Sequence, residues 1–277
     1  METKLGNNEP IKIKSFKDYI GQDQVLSLEE LAAVQEAKKL KNAFMVKSDI
    51  PALDGLMEGY FAEAGELVVV SGPAKSGKSL FCQTLTHRFS NQGIITLWFS
   101  YELTIRQFLA RFTGKLPDAC LPAKMVGNSL LWIEDRIMEG KEKFGIRVCI
   151  IDHLHYLVDM EKLRNPSLEI GAILRGLKLL AVKHDVVMIL VAHIGKMEAG
   201  KRPKATNMRD SSFLTQEPDT VLMVWRLKDN GALVNITKVS VELSRRTGVF
   251  EKTFKMEKRS GMLYEIERQK GDDDEEG

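Results

Sequence analysis

The 277-residue chain is poor in cysteine, has no long apolar run and carries almost no charge imbalance, and each shortage excludes something. Its three cysteines, Cys82, Cys120 and Cys149, are odd in number and nowhere spaced C-x-x-C, which argues against a disulfide framework and a structural zinc site. They read as buried thiols. The longest apolar stretches, such as 67–70 and 186–192, fall far short of the ~20 residues that cross a bilayer, so no membrane partner is expected. The opening METKLGNNEP offers no apolar segment before Ile11 to serve as a secretory signal, and a cytoplasmic location is the expectation. Net charge is only +2, but the terminal GDDDEEG holds five acids and no base, leaving 40 bases against 33 acids elsewhere. A mildly basic body with an acidic tail is compatible with nucleic-acid binding without demanding it.

What is present suffices for a large buried core: 44% of residues are apolar and 28% charged, which excludes disorder as the dominant state. Residues 1–44 form an arm, irregular to about residue 24. A helix then starts at a capping box, Ser27 with Glu30 three residues on, and runs through LAAVQEAKKLKNAF. Its apolar stripe of Leu28, Leu31 and Val34 packs either on its own domain or on a neighbouring subunit. A short helix and turn over ALDGLMEGYFAEAGE lead into a strand at Leu67–Val70. Apolar strands then recur at 94–99, 148–152, 186–192 and 220–225, alternating with helical patterns at 78–90, 104–113, 129–143 and 168–184. Glycines at 171 and 176 are expected to interrupt the last helix. This alternation predicts an α/β fold with a parallel sheet covered on both faces. Segments 232–241, 249–256 and 261–267 read as antiparallel additions at its edge.

The strand Leu67–Val70 runs into Ser71-Gly72-Pro73-Ala74-Lys75-Ser76-Gly77-Lys78-Ser79-Leu80, which matches G-x-x-x-x-G-K-[ST] between an apolar strand and a helix. Glycines let the backbone N–H groups wrap a phosphate, and the helix N-terminus adds positive potential. Lys78 would neutralise the β- and γ-phosphates and Ser79 would hold Mg²⁺, so ATP and Mg²⁺ are the expected cofactors. Val148-Cys-Ile-Ile-Asp152, an apolar strand ending in a carboxylate, supplies a second group for the Mg²⁺ shell. Many phosphate-loop enzymes place a Glu directly after that Asp to activate water, but here the residue is His153. Strand carboxyl ends converge on the ligand in such sheets, and the strand 94–100 ends at Tyr101-Glu102. Glu102 is therefore the candidate general base.

Taken together these pieces resemble the RecA-like ATPase domain of the superfamily 4 hexameric helicases, the DnaB-type replicative helicases and the phage and mitochondrial primase-helicases. The resemblance spans about residues 45–267 and rests on SGPAKSGKS, FSYELT, IIDHLHYLV, LVAHIGK, NMRDSSFLTQEPDTVLMVWR and LSRRTG in that order. The fifth carries most weight: Met208-Arg209-Asp210-Ser211, then Gln216 and Asp219 entering a strand, reproduce the family's spacing. The resemblance implies a RecA-like ATPase core over 45–268, followed by an acidic tail at 269–277. It makes Glu102 the catalytic glutamate and His193 the γ-phosphate sensor, an alignment that Lys196 and Arg209 support. His193 and the pair Asp152-His153 favour the phage side of the superfamily. In LSRRTG it implies a trans-acting arginine finger, Arg245 by register with Arg246 as the alternative, since Leu243 stands where DnaB proteins carry a second base.

DNA contact is implied in segments 159–168 and 197–207, through Arg164, Lys201, Arg202 and Lys204. Neither segment holds an aromatic residue, so the grip would be on phosphates, salt-sensitive and blind to sequence. The implied protein is a ring, hexameric in this family, that hydrolyses ATP on single-stranded DNA in replication or repair, with a primase or other replication proteins as further partners. A RecA- or KaiC-like recombination or regulatory ATPase without strand separation shares the fold and stays open, as does an accessory subunit that binds nucleotide only for assembly.

Overall fold

The computed structural model describes residues 24–40, 44–158, 166–194, 202–203, 213–229 and 232–266. The chain divides into two units, Met1–Ala43 and Phe44–Gly277. In the first, α1 (Leu28–Leu40) begins at the expected capping box: Glu30 N donates to Ser27 Oγ at 3.2 Å, and Ser27 N donates back to Glu30 Oε2 at 2.7 Å. The acidic tail lies outside the described residues.

The second unit opens with β1 (Met45–Val46), α2 (Pro51–Leu56) and β2 (Ala62–Glu63), the strands pairing as a small antiparallel ribbon. The alternating part follows: β3 (Leu67–Gly72), α3 (Lys78–Asn91), β4 (Thr96–Ser100), α4 (Ile105–Leu109), β5 (Ala119–Cys120), α5 (Leu130–Phe144), β6 (Val148–Asp152), α6 (Pro166–His184) and β7 (Val187–His193). A short α7 (Phe213–Gln216) then precedes β8 (Thr220–Asp229), β9 (Ala232–Ser244), β10 (Lys252–Arg259) and β11 (Met262–Glu265). Nine strands form one sheet in the order β11-β10-β9-β8-β3-β7-β6-β4-β5. From β8 to β5 the pairings are parallel; β9, β10 and β11 add antiparallel strands beyond β8. The fold is the expected α/β one.

Each central strand is buried on both faces, which is why its sequence is a continuous apolar run. In β3, Leu67 and Val69 face one core with Ile133, Ile137, Leu174 and Leu177 of α5 and α6. Val68 and Val70 face the other, with Phe81, Leu85 and Phe89 of α3. Of the cysteines, Cys82 and Cys149 are buried as expected, whereas Cys120 is only half-buried; all three are free.

Two expectations need correction. Gly171 and Gly176 do not interrupt α6, which is continuous over Pro166–His184. Their role is close approach: a Cβ on Gly171 would lie 2.8 Å from the Phe213 ring, and one on Gly176 would lie 2.2 Å from Leu130 Cδ1. Packing against α5 and α7 sets these positions, outweighing helix propensity. The helix expected at 104–113 is also shorter, ending at Leu109. Thr104 and Gln107 close a capping box at its start, and Arg111 and Phe112 then bond back three residues, tightening the chain into a turn.

Candidate active site

The parallel strands are in register, so their carboxyl ends arrive at one edge: Gly72 pairs with His193, Asp152 with Val191, and Ser100 with Asp152. That edge gathers the chemistry. Gly72, at φ 150°, passes so close to β8 that a Cβ would sit 2.0 Å from the Val224 carbonyl, and only glycine fits. Gly77, at φ 99°, starts α3 in the left-handed region and turns the loop's amides toward the helix N-terminus.

Lys78 is buried, and its Nζ donates to the carbonyls of Gly72 (3.0 Å) and Pro73 (2.7 Å). Burial pushes its pKa down to about 8, against the pull of Asp152 and Glu102. An anion on the loop would oppose that burial cost. Ser79 Oγ donates to Asp152 Oδ2 at 2.7 Å. Asp152 is buried, its carboxyl is raised chiefly by desolvation, and its Oδ1 has no partner among the described residues. A hydroxyl touching a buried carboxylate with an orphaned oxygen is a donor set that fits a hard, oxygen-seeking cation such as Mg²⁺.

A cleft of about 310 Å³ is lined by the loop residues 75–80 together with Glu102, Leu103, Arg111 and His193. The structure thus places Glu102 and His193 beside Lys78 and Ser79. Two histidines at this edge, His153 and His193, are held neutral. Burial, with His193, His155 and Lys78 nearby, pushes His153 down to about 3; burial, with Lys78 and His155, pushes His193 down to about 4. Arg111 is a cleft residue that sequence reasoning missed, because it reaches the site from the turn after α4 and belongs to no phosphate-loop motif.

Arg245 and Arg246 separate sharply. Arg246 is spent within its own chain: it donates to Glu66 Oε1 (3.1 Å) and to the carbonyls of Met57 (2.9 Å), Tyr60 (3.2 Å) and Phe61 (3.3 Å), and lies 3.9 Å over the Tyr60 ring. Arg245 is exposed, on a separate cleft of about 360 Å³ with Lys178, Glu66 and Asp219. Asp219 anchors it. Arg245 N donates to Asp219 O (2.8 Å), Asp219 N donates to Leu67 O (2.9 Å), and the Asp219 carboxylate accepts from Leu67 N and Lys178 Nζ, each at 2.7 Å. Arg245 therefore stands beside the amino end of β3, while the phosphate loop leaves from its carboxyl end. Five residue steps of about 3.3 Å, roughly 17 Å, separate the two ends.

Of the expected DNA-binding residues, Arg164, Lys201 and Lys204 lie outside the described residues, as do Lys196 and Arg209. Arg202 is described, and its guanidinium is engaged with Ser240 Oγ (3.2 Å), Glu242 Oε1 (3.3 Å) and the Glu251 carbonyl (3.4 Å). Glu242 is fully buried, and its Oε2 has no partner among the described residues. Removing Arg202 would strand that carboxylate, so Arg202→Ala is expected to cost ~2–3 kcal/mol of stability, measured by urea unfolding. A substitution that weakened only DNA binding would show that Arg202 is not an anchor.

Residues 123–261 match the family model for the DnaB-like helicase C terminal domain. The chain is 23% identical over 256 residues to a probable plasmid replicative DNA helicase of Chlamydia psittaci, covering 76% of this chain and 56% of that protein. It is 27% identical over 224 residues to the replicative DNA helicase DnaB of Mycoplasma pneumoniae, covering 66% and 47%. The chain spans about half the length of the curated relatives it matches. Among solved structures it resembles one described as an ATPase domain, at TM-score 0.70 and 21% identity over 86% of this chain and 98% of that one. It also resembles a DnaB-like replicative helicase described with its interactions with primase, at TM-score 0.69 and 20% identity over 88% and 68%.

Proposed function

The chain belongs to the DnaB-like helicase C-terminal domain family, and from that premise we propose that it is a ring-forming, ATP-hydrolysing motor that moves on single-stranded DNA and separates duplexes in replication or repair. Residues 45–268 are its ATPase core, with 1–44 as an arm and 269–277 as an acidic tail. The observation that carries the reading is the position of Arg245. It is exposed, held by Asp219 at the amino edge of the sheet, and too far from its own phosphate loop to serve it. Its natural target is the nucleotide of a neighbouring copy, and in this family the closed assembly is a hexamer.

Within one site the backbone amides of Gly72 and residues 74–80 and the Lys78 ammonium bind the triphosphate. Ser79 and Asp152 would hold Mg²⁺, which when bound neutralises charge on the phosphates. Glu102 orients the lytic water and accepts its proton, and neutral His193 donates a hydrogen bond to the γ-phosphoryl group. Arg245 of the next copy stabilises charge developing on that group. In segments 159–168 and 197–207, Arg164, Lys201 and Lys204 track the DNA backbone while Arg202 is held within the fold, and a primase or another replication protein is a fitting partner. The match over 123–261 disfavours the recombinase or regulatory reading.

A forked DNA substrate tests this directly. The expected results are phosphate release stimulated by single-stranded oligonucleotide and ATP-dependent strand release. Hydrolysis indifferent to oligonucleotide, with the fork intact, would favour the regulatory ATPase.

A further inference from the structure

His153 occupies the position after Asp152 where many phosphate-loop enzymes carry a catalytic acid, and the reading above gives it no task. Its surroundings define its chemistry. The His155 amide donates to His153 Nδ1 at 3.3 Å, so the neutral ring carries its proton on Nε2. The ring packs edge-on against His193, with centroids 4.4 Å apart at 85°, and against Tyr156 at 4.9 Å. One nitrogen of His153, one of His193 and one carboxylate oxygen of Glu102 all lie within 4.8 Å of one another. That spacing would suit a transition-metal ion. The tautomer points elsewhere, because the nitrogen left over by the His155 contact is a donor and offers no lone pair to a cation. His193 Nδ1, meanwhile, is buried without a partner among the described residues. His193 and Glu102 of this cluster line the cleft beside the phosphate loop, and an acceptor with imidazole N–H donors there suits a tetrahedral oxyanion with a water next to it.

We infer that His153 is a second direct contact to the γ-phosphoryl group, donating its Nε2–H to a terminal oxygen beside the one His193 contacts. This rests on the ATPase reading and deepens it: triphosphate is told from diphosphate by two imidazoles. In the reaction the water oxygen bonds to the γ-phosphorus and water's proton passes to Glu102. The bond from phosphorus to the bridging oxygen breaks, its electron pair leaving with ADP. His153 keeps its proton throughout and binds the group most tightly as negative charge spreads over the terminal oxygens.

The test uses the full chain with His153→Ala and His153→Gln, whose side-chain amide can replace the Nε2–H donor. ADP and ATPγS affinities are measured alongside steady-state hydrolysis. His153→Ala is expected to keep ADP affinity within about 2-fold, lose about 10-fold in ATPγS affinity and fall about 10- to 100-fold in kcat. His153→Gln should recover most of both losses. Imidazole ¹⁵N spectra of the wild-type chain should show His153 protonated on Nε2, with a signal that moves when ADP is exchanged for ATPγS. The inference is overturned by wild-type kcat and an unchanged triphosphate preference in His153→Ala, by equal loss of ADP and ATPγS binding, or by a proton on Nδ1. A wild-type chain that binds neither nucleotide overturns the ATPase reading itself, and this inference with it. A wild-type chain that prefers ATPγS, beside a His153→Ala variant that still does, overturns the inference alone.

Discussion

Replacing Glu102 by Gln is expected to lower kcat about 1,000-fold while leaving MgATP affinity within a few-fold of wild type. The amide keeps the shape of the side chain but cannot accept a proton. Glu102 stands at the end of β4, in the cleft with Lys78, Ser79 and His193, and no second carboxylate follows Asp152 to take over. Binding is expected to survive, because the proposed phosphate contacts are the loop amides, Lys78 and Ser79 and do not include Glu102. Single-turnover hydrolysis compared with nucleotide titration separates the two effects. A Glu102→Gln variant that turned over at the wild-type rate would move the base elsewhere.

Arg245→Ala carries the second large effect. It should lower hydrolysis by the assembled protein about 1,000-fold, in the range for loss of an arginine finger, without altering nucleotide affinity of the isolated chain. Arg246→Ala should behave differently. Arg246 bonds three backbone carbonyls and the buried Glu66 from β9's far end, so its removal leaves those acceptors unpaired and reduces stability of every copy, alone or assembled. Melting temperature and assembled activity, measured on both variants, tell the trans-acting arginine from the structural one. Equal thermal destabilisation by the two substitutions would count against assigning them different tasks.

The contrast between these neighbouring arginines shows where the sequence was readable. The phosphate loop, the strand ending at Asp152 and the strand leading to Glu102 announce themselves because a strand buried on both faces must be a continuous apolar run, and because a loop wrapping phosphate needs glycine. Those requirements are local. Arg246 is held by carbonyls of Met57, Tyr60 and Phe61, some 185 to 189 residues away, and nothing in LSRRTG records that. The glycines of α6 misled for the same reason: residue 176 answers to Leu130 of another helix, while propensity speaks only for its own. The ribbon of β1 and β2, and the strand β5, are two residues each and too short to leave a period. The tautomer of His153 depends on a backbone amide two residues on, and became legible only once the turn at Leu154–Tyr156 was in place. Asp219 was marked by its spacing from Gln216, yet its work is structural, joining β3, α6 and Arg245.

Mixing two inactive variants tests most directly the claim that each nucleotide is completed by a neighbouring copy. Lys78→Ala subunits lack a working phosphate loop but keep Arg245; Arg245→Ala subunits keep the loop but lack the finger. Co-assembled in equal amounts on single-stranded DNA, they form seams at which an intact loop meets an intact arginine, and ATP hydrolysis should return to a substantial fraction of the wild-type rate. Hydrolysis by the mixture no greater than the sum of the two variants measured separately, with co-assembly verified by mass, would show that the triphosphate is cleaved within a single copy.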